Sequence, residues 1–478
     1  MEVNETQDTQ DTQETQDTQN IQETQEVQEV QDVQEVQDVQ ETQDAQDINR
    51  ANRRKRRIRN KFLSIMVVVL IVALIAGLGG FIYMKIAELQ KGKEHQNDVA
   101  EKLEELTEDE TEIPVISEPN VDVEVPEVDP FEEALKAQIA EMTIEDKVAG
   151  LFFVTPESIT GVGTAIRAGD GTKEALEEYP VGGIIYFKKN IQSEDQIKEM
   201  LAKTQEYSPE RIFLGVNEEG GSVSSVAAQL DVTEVKTAET LGQNASTEET
   251  YQTGKTIGTY LADLGFNVNF APVADVVTDT ENELLGDRSF GSDGTNVGNH
   301  VSAMVKGLEE SGISACVKAF PGIGSANKDP EDGLSTTERT LEEMQSAEFL
   351  SFQAAIAENA DFIMVSNVTA PALAGGEYIP SCLSKKVIKD VLREQLGYEG
   401  IVITSPLNEV AITDYYTSSE AVIMAIEAGA DMVLMPENFE EAYYALLAEV
   451  LEGNISEERI DESLLRIYKV KYADMLVE

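Results

Sequence analysis

Residues 212–223 read IFLGVNEEGGSV: five apolar positions, then an abrupt change to amide, carboxylate, carboxylate, Gly220 and Gly221. This is the unit that decides the fold, because it recurs. Short apolar runs fall at 151–154, 181–187, 212–216, 268–273, 314–318, 362–365, 401–404 and 432–435. Amphipathic stretches at 194–205, 250–264, 297–311, 342–358, 385–396 and 419–428 alternate with them. Near-continuous apolar strands belong to a parallel sheet covered on both faces, and eight strand–helix units imply closure into a barrel. Gly265, Gly312 and Gly397 stand where the preceding helices should stop. The expected architecture over residues 130–478 is therefore an α/β, TIM-type (β/α)8 barrel. In such barrels chemistry sits at the C-terminal ends of the strands.

Outward from the barrel, the N-terminal quarter has a different composition. Residues 6–47 repeat a Gln-acid triplet, with Asn20 as the one break in its acidic position. A period of three matches neither helix nor strand, and a charged segment without aromatics buries too little to offset its chain entropy. Residues 1–49 are thus expected to be a disordered tail. Residues 50–61 carry eight Lys and Arg, and residues 62–84, FLSIMVVVLIVALIAGLGGFIYM, carry no charge. As a helix these 23 residues would extend roughly 34 Å, enough for a bilayer core of about 30 Å. The basic cluster on one side predicts a single-pass protein of the cell membrane, with a cytoplasmic tail and an extracellular barrel. Residues 85–129, acidic and punctuated by Pro114, Pro119 and Pro126, read as a stalk.

Composition removes several functions. A formal net charge of −54 and a pI near 4.2 exclude a nucleic-acid partner. Two cysteines, Cys316 and Cys382, and two histidines, His95 and His300, offer neither a disulfide framework nor a metal site, and no cofactor is expected.

The strand ends carry further segments in order: VNFAPVADV at 268–276, DRSFG at 287–291 and KAFPGIG at 318–324. With MTIEDK at 142–147, VGGI at 181–184 and residues 383–403, they resemble the signature segments of family 3 glycoside hydrolases. The resemblance is to the bacterial β-N-acetylhexosaminidase branch and covers residues 130–478. It implies removal of terminal N-acetylglucosamine from glycans such as peptidoglycan fragments. The reaction retains configuration through a glycosyl-enzyme intermediate, with a loop histidine oriented by an aspartate as acid/base. A carboxylate nucleophile, a proton donor and a polar clamp for the sugar are the physical requirements.

Against that pattern the chemistry is missing. The family's nucleophilic aspartate corresponds to Ser405, in Thr404-Ser405-Pro406-Leu407. Two family histidines correspond to Ala319 and Ile323, and the acid/base loop reads DPEDG at 329–333. Asn217 and Ser222 replace the sugar-binding aspartate and arginine, and Asn367 replaces a histidine. Arg288 and Lys318 match sugar-contacting positions, which makes Arg288, Lys318, Asn217, Glu219 and Asn367 the expected binding set. A local Asp287–Arg288 ion pair is the competing expectation for Arg288. Substitute carboxylates are sought among Glu409, Glu218, Glu219, Asp275, Asp329 and Asp332. The expectation is a non-catalytic, membrane-anchored barrel that binds an N-acetylglucosamine-containing glycan or a partner at the old pocket mouth. The alternatives are an active β-N-acetylglucosaminidase with relocated acid and base, and a scaffold acting through a cytoplasmic partner of the tail.

Overall fold

The computed structural model describes residues 129–279 and 284–477. The tail, basic cluster, membrane span and most of the stalk, residues 1–128, lie outside the described residues. Among those described, no helix is long and apolar enough to cross a membrane.

Each of the eight apolar runs contains a strand of one parallel sheet. In chain order they are β1 (Phe152–Val154), β2 (Gly183–Tyr186), β3 (Phe213–Val216), β6 (Val268–Asn269), β7 (Ser314–Phe320), β8 (Phe362–Val365), β9 (Ile401–Thr404) and β10 (Val433–Leu434). A two-stranded hairpin, β4 (Glu218–Gly220) and β5 (Val223–Ser224), follows β3 directly. The sheet runs β10-β1-β2-β3-β6-β7-β8-β9, and the parallel bridge Ile403↔Met432 completes the ring between β9 and β10. The interior is filled rather than hollow. Phe153 stacks on Phe213 at 6.3 Å, and Phe270 and Phe362 meet these two edge-on at 5.2 and 5.1 Å. Gly215 is small for this reason: a Cβ there would lie 2.7 Å from Phe270 and 2.8 Å from Phe153.

Helices surround the barrel, and polar N-caps start them. Thr143, Ser193, Ser246, Asp293, Thr340, Thr417, Asn438 and Ser456 each accept a hydrogen bond from a first-turn amide. Gly265, Gly312 and Gly397 all have positive φ, as their stop positions require.

Three expectations change in detail. The run at 268–273 is a strand only at Val268–Asn269, because Pro272 has no N–H for the ladder, and pairing resumes at Val273↔Lys318. The stretch 342–358 breaks into Leu341–Ser346 and Glu348–Ala357 at Ala347, whose φ of −136° and ψ of −79° are not helical. Lys386–Gln395 is wound as a π-helix, as in the five-residue bond from Leu396 N to Val391 O at 2.9 Å.

Candidate functional site at the strand ends

A cavity of about 560 Å³ opens at the C-terminal ends of the strands, and every barrel strand except β1 supplies a wall residue from within it or directly after it. Its lining contains the expected binding set, Asn217, Glu219, Arg288, Lys318 and Asn367, and the three degenerate catalytic positions, Ala319, Ile323 and Ser405, but not Ser222.

The hairpin after β3 sets one wall. Asn269 on β6 reaches across, accepting from Glu218 N at 3.0 Å and donating to Glu218 O at 2.8 Å. Glu218 and Glu219 then point different ways. Glu218 turns from the cavity and accepts from Val226 N, Ala227 N and the Tyr260 hydroxyl. Burial raises its pKa despite those bonds. Glu219 faces inward, with only 3% of its side chain exposed. Arg288 grips it with two parallel bonds of 2.8 and 2.9 Å, and Lys318 Nζ lies 2.8 Å from Oε1. Burial alone would raise the Glu219 pKa, but the charges of Lys318 and Arg288 outweigh it and hold the carboxylate below its usual range. Lys318 also donates to Asn217 Oδ1 at 2.9 Å. The Asp287–Arg288 ion pair is therefore not formed. Asp287 instead accepts from the Ser222 backbone N–H and hydroxyl. Gly221 must be glycine for that contact, since its φ is +67° and a Cβ would sit 2.6 Å from Asp287 Oδ2.

Asp275, beyond β6, holds the loop after β7. It is 1% exposed and accepts from Ile323 N at 2.7 Å and Ala319 N at 3.2 Å. Burial raises its pKa to about 6, which those two N–H groups only partly oppose. In the same loop, a Cβ on Gly324 would lie 1.8 Å from Val276 O, so glycine is forced by close backbone approach.

The opposite wall comes from β8, β9 and their loops. Ser405 directly follows β9, 6% exposed, with its N–H donated to Val365 O at 2.8 Å. No carboxylate stands at that position. Asn367 donates to Pro406 O at 2.8 Å and to Glu409 Oε2 at 2.7 Å, while the Cys382 thiol donates to its Oδ1 at 3.0 Å. Asn367 thus orients Glu409 rather than presenting a spare amide. Burial raises the Glu409 pKa to about 7, against the Asn367 bond and with help from Glu331 and Asp329.

Of the substitute carboxylates sought in the sequence, Glu219, Asp275, Asp329 and Glu409 line the cavity, and Glu218 and Asp332 do not. Glu331 and Ser366 line it unforeseen; Ser366 directly follows β8, and that adjacency was the available signal. The one histidine among the described residues, His300, is 2% exposed on the helix Gly294–Glu309. Its Nδ1 lies 2.7 Å from Thr250 Oγ1 and its ring stacks on Phe290. It does not line the cavity.

A closed parallel barrel with a polar, strand-end cavity defines the class: a (β/α)8 protein whose ligand site is built from βα loops. Comparison with known proteins narrows this. The glycosyl hydrolase family 3 N-terminal domain profile matches residues 143–470. Beta-hexosaminidase A of Pseudoalteromonas piscicida is 30% identical over 332 residues, covering 62% of this chain and 54% of that protein. Among solved structures, a family 3 β-N-acetylglucosaminidase from Paenibacillus sp. FPU-7 superposes with a TM-score of 0.66 at 33% identity, covering 70% of this chain and 64% of that one. A family 3 glycosyl hydrolase of Mycobacterium smegmatis gives a TM-score of 0.62 at 28% identity, covering 70% and 98%. The chain belongs to glycosyl hydrolase family 3. It spans about half the length of the first curated relatives it matches, 54% and 47%.

Proposed function

We propose that this chain is a membrane-tethered relative of the β-N-acetylhexosaminidases that holds an N-acetylglucosamine-containing cell-wall glycan at the barrel mouth without cleaving it. The observation that carries this reading is Ser405 directly after β9. A serine hydroxyl with no base beside it has no reason to ionise and cannot stabilise an oxocarbenium-like centre. The loop after β7 offers no histidine to protonate a leaving group. A retained binding side is supported by Arg288 and Lys318, both paired with Glu219, and by the Lys318 bond to Asn217. A short set of polar contacts of this kind gives affinity in roughly the millimolar range.

One observation favours a second reading, an active hydrolase with a relocated acid. Glu409 lines the cavity with a pKa raised to about 7, where a carboxylic acid can donate a proton. Calorimetry with N-acetylglucosamine, run beside a chromogenic N-acetyl-β-glucosaminide assay, separates the two. Weak binding without turnover supports the first reading; turnover lost in Glu409→Gln supports the second. On the first reading Ser405→Asp alone restores no activity, because the leaving group still lacks a donor. A histidine added within 329–333 together with Ser405→Asp gives detectable traces.

The tether rests on the uncharged residues 62–84 behind the basic cluster. Protease added to intact cells should release a fragment beginning within about residues 95–130 and spare the Gln-acid tail. Cleavage of the tail instead would reverse the orientation.

A further inference from the structure

The strand-end cavity has a neighbour. A groove of about 810 Å³ is lined by Ser158 after β1, by residues between 413 and 420 after β9, and by residues 437–441 after β10. Two segments line both spaces. The short helix Val410–Thr413 gives Val410 to the cavity and Thr413 to the groove. After β10, Met435 lines the cavity and Glu437 the groove. Two residues of chain span at most about 7 Å, so the walls of the two spaces adjoin there. Tyr415 stands on the groove with 57% of its surface exposed, whereas Phe439 on the same wall is buried.

Resting on the saccharide-binding reading above, we propose that this groove is a second saccharide subsite, in which Tyr415 stacks on a neutral ring further along the glycan whose terminal ring occupies the strand-end cavity.

Three observations support it. The first is continuity, since a glycan held by its terminal ring in the cavity leaves through the mouth, and the groove adjoins that mouth along the segments after β9 and β10. The second is the state of Tyr415. Its backbone is fixed, with its N–H donated to Ile412 O at 3.0 Å and Ile412 only 1% exposed, while the ring stays open to solvent. A tyrosine presents a flat apolar face with a polar tip and loses little side-chain entropy on being covered. A pyranose offers the complement, an apolar C–H face rimmed by hydroxyls. The third is the chemistry of the remaining wall. It holds the carboxylates Asp414, Glu420, Glu437, Glu440 and Glu441 and neither lysine nor arginine. Glu420 is taken by the Thr417 N–H and hydroxyl, and Glu441 by the Ser419 hydroxyl at 3.1 Å. Asp414, Glu437 and Glu440 are exposed, and an ionised carboxylate is purely an acceptor, suited to sugar hydroxyls as donors. The same wall repels a ring with an anionic substituent, which makes the expected ring neutral.

The test is calorimetry on the full chain in detergent micelles at pH 7, with N-acetylglucosamine and its β-1,4-linked trisaccharide as the probes. The trisaccharide should bind about tenfold tighter or better. Tyr415→Ala, with its fold checked by circular dichroism, should bring the two affinities to within about twofold and leave that of the monosaccharide unchanged. Tyr415→Phe should keep the gain, because the face of the ring carries the contact. Tyr378, 59% exposed, lines neither the cavity nor the groove, so Tyr378→Ala should also keep it. A trisaccharide no tighter than the monosaccharide overturns the second subsite while leaving the saccharide reading intact. A gain that survives Tyr415→Ala, or one lost equally in Tyr378→Ala, also overturns it. Failure of the folded chain to bind either sugar overturns both.

Discussion

The barrel buries a carboxylate between two cations at each end, and the two clusters differ in what else they face. At the N-terminal end of β10, Asp431 is fully buried and accepts from Arg393, from Arg466 Nη1 at 3.0 Å, from Ser463 Oγ at 2.8 Å and from Val402 N at 2.9 Å. Every contact joins one part of the chain to another: a helix, the following strand and the C-terminal helix Glu457–Lys471. At the C-terminal end, Glu219 is held as tightly by Arg288 and Lys318, but those cations open onto a cavity of about 560 Å³. Lys318 also keeps a contact to Asn217, and both cations line that cavity. On the proposed reading, the same device, a carboxylate between cations, serves stability where it joins parts of the chain and recognition where it faces the cavity.

The largest effect that could break this comparison is on stability. Asp431→Ala leaves Arg393 and Arg466 without their partner and should cost about 3–5 kcal/mol, read from urea unfolding. The same experiment on Arg288→Ala should show a much smaller loss, since Glu219 keeps Lys318. If the two losses match, the strand-end cluster is structural rather than reserved for a ligand.

Next in size is affinity. Arg288→Ala should weaken N-acetylglucosamine binding roughly tenfold or more in calorimetry, because a fixed charged donor pair is removed. Asp431→Ala, studied where it remains folded, should leave that affinity within about twofold.

The smallest effect is a pH dependence arising at the mouth. Burial raises Asp275 from 3.8 to about 6 and Glu409 from 4.5 to about 7. An acid whose folded pKa is raised holds its proton more firmly when folded, so its ionisation costs stability above the folded pKa. That cost fades as pH falls from about 7 toward 5. Relief of repulsion in a chain of net charge −54 acts in the same direction, so the informative quantity is a difference between variants. The gain in urea midpoint from pH 8 to pH 5 should be smaller in Glu409→Gln than in the unmodified chain. An unchanged gain would remove Glu409 from the account.

Much of this was legible in the sequence. Eight apolar runs became eight strands because a parallel strand covered on both faces must be apolar at successive positions, which one sequence displays openly. The expected site residues reached one cavity because each stands within a few residues of a strand end or in a loop that returns to one, and closure of the ring brings those ends together. What the sequence hid was partnership across the barrel. Nothing in residues 217–219 tells that Glu218 turns to Tyr260 while Glu219 faces Arg288, since alternation along a strand assigns opposite faces without saying which is inward. Nor does the sequence tell that the amide of Asn367, an expected sugar contact, lies on Glu409, 42 residues away. The break at Ala347 and the π-winding of Lys386–Gln395 depend on packing against neighbours and leave no periodic trace.

The central claim, a strand-end pocket that keeps its grip on sugar and has lost the means to cut, is tested most directly by soaking crystals of the protein with the β-1,4-linked disaccharide of N-acetylglucosamine. The account predicts an intact disaccharide whose terminal ring contacts Arg288 and Lys318 beneath an unmodified Ser405. A cleaved monosaccharide there, or an empty pocket at saturating disaccharide, would contradict it.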